Sequence, residues 1–411
     1  MIKKLSLFFT LLSLQACSYL VSPIGGNFSE KPEEMEKKLS KEASELVDKI
    51  YAGFGSECFY DMHVHAVGNG SDGSENWITP EFENFFNFNK HMQFQVYKSA
   101  TDIKDMKRTE QQYNQRVLSL LKGDKRYPQI FYLAFDYHYN ESGQIDKDHS
   151  NFYIDNQYVW KMHKKHPEYI LPAISIHPDR PNAIKDLKKW ANKGVKVVKW
   201  LPNAMRIDPS SKSTDAFYKI MKKNDMILLS HVGEEKAVDG EAYQELGNPL
   251  LLKKALNLNL NVIMAHAGSR GKCIDYQNNN QQADCFDLFW RMFQNEKWKD
   301  NLYADTSGLT IHARVGKPLK VLLNHPEFHD RLIHGSDYPL PAINFIYRTS
   351  QLEDLGYITE GQRELLNEIY DYNPLTFEIA LKRSLKHPET GKSFTDEAFK
   401  LPGKLCKIIE N

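Results

Sequence analysis

Eight short apolar runs punctuate the chain, at residues 58–64, 129–135, 169–176, 195–200, 226–230, 261–265, 301–304 and 331–334. They are rich in β-branched and aromatic residues, and longer amphipathic stretches of helical period separate them. A strand buried on both faces shows no polar alternation, so continuous apolar runs between helices predict a parallel sheet covered on both sides. Eight such units predict an α/β chain folded as a (β/α)8 TIM-type barrel. Residues 66–127 hold far more chain than one helix needs. An insertion is therefore expected after strand 1, lying over the barrel mouth, with residues 92–97 reading as an extra strand. Before the barrel, residues 30–51 read as a charged helix with Leu39, Ala43, Leu46, Val47 and Ile50 on one stripe. Residues 352–379 read as helices that close the barrel, and 387–411 as a tail packed on its outside.

The N-terminus departs from this pattern. Lys3 and Lys4 precede ten apolar residues, 5–14. That length is too short to span a bilayer and suits a signal peptide. The stretch ends in Leu14-Gln15-Ala16-Cys17, which resembles the lipobox of bacterial lipoproteins. The resemblance implies cleavage before Cys17 and a lipid on its sulfur; the alternative is an ordinary cleaved signal that happens to contain a cysteine. Ser18, in place of Asp, implies passage to the outer membrane of a Gram-negative cell. The chain then divides into a signal peptide (1–16), a tether and N-terminal helix (17–55), the barrel (56–385) and a C-terminal tail (386–411). Membrane contact is expected through the lipid alone.

Composition sharpens this little. With 53 Lys+Arg against 53 Asp+Glu in 411 residues, no basic excess points to nucleic acid. Without Cys17, four cysteines remain: Cys58, Cys273, Cys285 and Cys406. An oxidising compartment allows them two bridges in three pairings. A Cys273–Cys285 bridge would enclose a polar loop rich in Asn and Gln. Cys58 and Cys406 would then tie the barrel entrance to the tail.

Chemistry-bearing residues gather at the ends of the apolar runs. The first ends in Asp61-Met62-His63-Val64-His65. Residues two apart on a strand share a face, so Asp61, His63 and His65 are expected to point together into the barrel. Lys199 ends the fourth run, His231 the fifth and His266 the sixth, and Asp337 follows the eighth. These positions fall where a strand gives way to its loop, the end of the barrel that carries active sites. Such residues in apolar strands are costly unless paired or bound to metal.

This set resembles the amidohydrolase superfamily in its amidohydrolase-related branch, which includes hydrolases, lactonases and decarboxylases. The segments His166-Pro167-Glu168, Gly194-Val195-Lys196-Val197-Val198-Lys199 and Gly335-Ser336-Asp337-Tyr338-Pro339 are similar to that branch as well. The resemblance spans about residues 60–373. It implies that His63, His65, His231, His266 and Asp337 hold or line a divalent metal. One or two ions are implied, zinc named first, though such donors also accept Mn, Fe or Co. Asp337 would be catalytic, moving a proton from the metal-activated water to the leaving group. Lys199 stands where binuclear members carry a lysine carboxylated by CO₂ that bridges two metals. It is equally read as an ammonium that contacts an anionic substrate. His177, Trp200 and Arg270 are candidates for substrate contact, and Asp305 for a partner to a ligating histidine. The implied activity is hydrolysis of an ester, lactone or amide carbonyl in a small molecule. The rival readings are non-oxidative decarboxylation and an inactive metal- or ligand-binding lipoprotein.

Overall fold

The computed structural model describes residues 25–26, 30–55 and 58–410. The signal-peptide and Cys17 expectations lie outside them. Among the described residues, no helix is long and apolar enough to cross a membrane.

All eight apolar runs form strands of one parallel sheet. In chain order they are β1 (Tyr60–His65), β2 (Gln129–Leu133), β3 (Ile170–Ile174), β4 (Val197–Trp200), β5 (Ile227–His231), β6 (Asn261–Ala265), β7 (Leu302–Asp305) and β8 (Leu332–Ile333). Each pairs with the next. The sheet closes on itself through backbone bonds from Met62 N to His334 O (3.1 Å), from His65 N to Tyr338 O (2.8 Å) and from Asp337 N to His63 O (2.8 Å). Helices wrap the outside in the alternating order of a (β/α)8 barrel.

The barrel interior is apolar for most of its depth. Met62, Phe131, Leu133, Val197, Leu229 and Ile263 pack there, and Leu401, Leu405 and Cys406 of the tail join the same cluster. The tail is therefore not laid on the outside, as the sequence suggested. Its final helix, Gly403–Glu410, plugs the floor, because Leu405 and Cys406 find the open N-terminal end of the barrel. The Cys58–Cys406 bridge is present and fastens this plug just before β1. It thus lies at the floor rather than at the open mouth. The second bridge, Cys273–Cys285, is present as well, and the polar loop it encloses folds as a hairpin of Lys272–Asp275 against Gln281–Asp284.

Two expected elements differ. Residues 30–51 are not one helix. A short turn of helix (Met35–Lys38) stops, and α1 (Lys41–Tyr51) starts anew behind Ser40, whose side chain caps Ala43 N and bonds Glu368. Segment 92–97 is helical, within α2 (Phe88–Ala100). Met92, Phe94 and Val96 alternate like a strand, yet Asn87 caps Lys90 N to start a helix, and Phe94 packs on Phe82 from that helix. As expected, the insertion lies over the mouth: Tyr97 Oη donates to Ala237 O at 2.6 Å, on the loop after β5.

Candidate functional site

The site is built where the strands end. β1 delivers His63 and His65, but not through simple alternation. The pairing of β1 with β2 shifts register between Asp61 and Val64. A bulge of this kind re-aims side chains. Met62 thereby joins the barrel lining and His63 the mouth, while Asp61 does not reach the histidine cluster. Its carboxylate instead accepts from His63 N (3.1 Å), Ser336 N (2.9 Å) and Tyr127 Oη (2.8 Å). Asp61 therefore fastens β1 to the turn after β8. The expectation that it faces the site with the two histidines is corrected by this bulge.

His266 and Asp337 follow β6 and β8 in left-handed backbone conformations, with φ of 58° and 63°. Such conformations cost non-glycine residues ~1–3 kcal/mol each and concentrate at functional sites. Here they turn both side chains inward. One ligand atom from each of His63, His266 and Asp337 lies within 4.8 Å of the other two. Asp337 Oδ1 is 3.5 Å from His63 Nε2 and 3.2 Å from His65 Nε2. The rings of His63 and His266 stack at 5.1 Å, and that of His231 stands 5.0 Å from His266. Gly308 borders the cluster; a Cβ there would sit 3.4 Å from Asp337 Oδ2.

The three buried imidazoles of the cluster each turn Nδ1 to an oxygen. His63 Nδ1 donates to Asp305 Oδ2 at 2.8 Å, His231 Nδ1 faces Glu235 Oε2 at 3.5 Å, and His266 Nδ1 donates to Ser307 O at 3.0 Å. A nitrogen against an anionic or carbonyl oxygen carries the proton, so Nε2 is the unprotonated nitrogen of each ring; that of His63 accepts from Lys199 Nζ at 3.0 Å. His231 Nε2 is buried with no hydrogen-bond partner. That cost is ordinarily avoided, and a metal ion would remove it. The donor set of imidazoles and a carboxylate fits a divalent ion of the zinc class.

Asp305, the residue placed by sequence at the end of strand seven, is the hub of this support. Oδ1 accepts from His266 N (2.8 Å), Ser307 N (3.2 Å) and Ser307 Oγ (2.5 Å), while Oδ2 holds His63. Burial alone would raise its pKa, but the His63 ring and the Ser307 hydroxyl hold it well below the carboxylate range. Asp337 behaves likewise: burial is outweighed by His63, His65 and Arg314, and it stays ionised. Burial, with Lys199 adding to it, lowers His63 to about 4 and keeps it neutral.

Lys199 Nζ is buried and donates to His63 Nε2 at 3.0 Å. Burial pulls its pKa down to about 8, against the pull of Asp305 and Asp337. A neutral amine is thus within reach near neutral pH.

The three residues expected to contact substrate are engaged by other parts of the chain. Trp200 turns outward, donates from Nε1 to Ile176 O (2.9 Å) and packs on Phe217 and Tyr218. It ends β4 one residue after Lys199, so alternation sends it to the helix layer. His177 has both ring nitrogens engaged, by Met205 O (2.8 Å) and by Asp179 N (3.1 Å), and burial lowers it to about 4. Arg270 is paired with Glu234 at 2.9 Å and is partly exposed.

Other residues in the site carried little sequence signal. Glu235 reads as part of a solvated acidic loop, yet it is buried against His231. Arg314 is buried beside the cluster, where Asp337 and Glu235 pull against the lowering of its pKa by burial. Among the described residues its side chain makes one hydrogen bond, from Nη1 to Ser269 Oγ at 3.3 Å. Behind the β8 turn, Lys382 pairs with Glu378 and donates to Gly335 O (2.8 Å) and Thr306 Oγ1 (3.2 Å).

The family model described as Amidohydrolase matches residues 60–377. No curated protein matches the chain. Among solved structures, an uncharacterized TIM-barrel protein from Bordetella bronchiseptica is similar at 13% identity and a TM-score of 0.45, over 76% of this chain and 99% of that one. The 5-carboxyvanillate decarboxylase LigW from Sphingomonas paucimobilis is similar at 10% identity and a TM-score of 0.44, over 86% and 98%. The 4-oxalomesaconate hydratase LigJ from Rhodopseudomonas palustris is similar at 12% identity and a TM-score of 0.40, over 74% and 92%.

Proposed function

The chain belongs to the amidohydrolase family, and from that premise we propose that it is a metal-dependent hydrolase of an ester, lactone or amide-type carbonyl in a small anionic molecule. The observation that carries this reading is the buried group of His63, His266 and the ionised Asp337, one ligand atom of each within 4.8 Å of the other two, with the ring of His231 5.0 Å from that of His266 and its Nε2 without a partner. His63, His65, His231, His266 and Asp337 would hold the ion. A divalent ion of the zinc class would, when bound, polarise the substrate carbonyl and acidify a water molecule.

The chain's own residues do the rest. Asp337, ionised, accepts the proton of the attacking water and returns it to the leaving group. Asp305 and Glu235 fix the orientation of His63 and His231. Lys199 is the residue that would accept CO₂ as a carbamate, since its depressed pKa supplies the neutral amine that this chemistry needs. Arg314, a buried cation short of partners, would hold a carboxylate of the substrate.

The reading is tested by a screen of ester, lactone and amide substrates on metal-reconstituted protein, with Asp337→Asn alongside. Turnover by the wild type and its loss in the variant are expected; full turnover by the variant would refute the assignment. Decarboxylation is the second reading, favoured by the two buried cations Lys199 and Arg314, which suit a carboxylate-bearing substrate. Release of CO₂ without hydrolysis would select it.

The two disulfides support an oxidising compartment. With the lipobox-like Leu14-Gln15-Ala16-Cys17, they support an enzyme anchored to the cell envelope by a lipid on Cys17. Lipid labelling that survives Cys17→Ser would remove that part of the proposal.

A further inference from the structure

The loop that follows β2 carries a group of metal-binding side chains that shares no member with the barrel-mouth cluster. His138, Asp146 and His149 each place one ligand atom within 4.8 Å of the other two. The group is held from several sides. The His138 main chain is fixed by Ser150 Oγ, which accepts from His138 N at 3.1 Å, and by Asp146 N, which donates to His138 O at 2.9 Å. The His138 ring is buried, 5.3 Å from the ring of His149 and 5.3 Å from that of Tyr243. His138 Nδ1 faces Ala204 O at 3.3 Å. A nitrogen against a carbonyl carries the proton, so Nε2 is the bare nitrogen of this ring. Burial lowers the pKa of His138 and favours the neutral form that ligation requires. Asp146 Oδ1 accepts from the main-chain N of Asp148 (3.2 Å) and His149 (3.3 Å), while Oδ2 lies 2.9 Å from His149 Nδ1.

We propose that His138, Asp146 and His149 form a second divalent-metal site on the mouth side of the barrel. Two imidazoles and one carboxylate suit Zn²⁺ or a neighbouring first-row ion, with water completing the shell. The position suggests what the ion does. Ala204 lies on the loop after β4 and Tyr243 on the loop after β5, so a cation at His138 ties the long β2 loop to its two neighbours around the mouth. Its role is to fasten the wall of the pocket rather than to take part in the reaction. The proposal stands independently of the hydrolase reading, because none of the three residues belongs to that chemistry.

The test uses the full chain stripped of metal and titrated calorimetrically with Zn²⁺. His149→Ala is the main variant, since His149 is exposed and its loss leaves the core untouched. His138→Ala and Asp146→Asn accompany it. Each is expected to lose one Zn²⁺ equivalent relative to wild type while keeping whatever equivalents His266→Ala removes. Added Zn²⁺ should also slow hydrogen exchange across residues 137–150 in wild type and leave it unchanged in His149→Ala. Wild-type stoichiometry in all three variants, or no slowing of exchange in wild type, would overturn the site. Unchanged melting of metal-free His149→Ala would show that the loss is of a ligand and not of the fold.

Discussion

The two ends of the barrel are made from the same eight strands and are opposite in character. The floor is apolar, filled by Leu401 and Leu405, closed by a helix and stapled by Cys58–Cys406. The mouth gathers His63, His231, His266, Lys199, Asp305 and Asp337, nearly all of them out of contact with solvent. Burial on the floor is favourable in itself, roughly 25 cal/mol per Å² of apolar surface. Burial at the mouth is costly unless each polar atom finds a partner. The molecule thus places its stability at one end and its strained, ionised, partner-seeking groups at the other, including two left-handed residues, His266 and Asp337. Substitutions at the mouth should abolish activity and spare the fold; substitutions at the floor should do the reverse.

The largest separation is expected from Asp337→Asn, which keeps the shape and removes the carboxylate proposed as proton acceptor. Turnover should fall by ~10²–10⁴-fold, in the range of general acid–base catalysis, with the circular dichroism spectrum unchanged. At the floor, Cys58→Ala with Cys406→Ala should cost ~2–5 kcal/mol in urea unfolding. The same double variant should leave KM as in wild type, which enzyme assays at low temperature would show.

A pH series adds the third contrast. His63 and His177 are neutral in the fold down to about 4, below the ordinary histidine value of 6.5. The unfolded chain therefore binds more protons between those limits, and stability must fall as pH drops from about 6.5 towards 4. Urea midpoints of metal-free protein at successive pH values should decline over that window; a flat profile would mean that these rings are not buried and neutral.

A smaller effect is expected at the pocket wall. Arg314→Met should raise KM for carboxylate-bearing substrates by about 10-fold or more with little change for neutral ones, whereas Arg270→Ala should alter KM only slightly. Steady-state kinetics on matched acid and amide substrates separates the two arginines. Smallest of all, Trp200→Phe should lose about 1 kcal/mol of stability with its bond to Ile176 O and leave KM unchanged.

Much of this contrast was legible in the sequence. The eight strands announced themselves because parallel strands buried on both faces are continuous apolar runs, and His63, His65, Lys199, His231, His266 and Asp337 stood out as polar types at their ends. Local geometry hid the remainder. The bulge that turns Asp61 away from the cluster depends on pairing with β2, which no single strand encodes. Trp200 follows Lys199 and reads as a candidate for substrate contact, although alternation sends it outward. Glu235, Ser307 and Arg314 lie on loops, where spacing gives no sign of which side chain folds back. Segment 92–97 has the period of a strand, but it lies within α2, whose start the Asn87 cap sets five residues earlier.

The central claim is that the mouth is a metal centre, and calorimetric titration of Zn²⁺ into metal-stripped protein tests it most directly. The His138→Ala/His149→Ala background removes the loop site from the measurement. In that background one or two tight equivalents are expected, abolished by His266→Ala; no binding, or binding that His266→Ala leaves intact, would contradict the account.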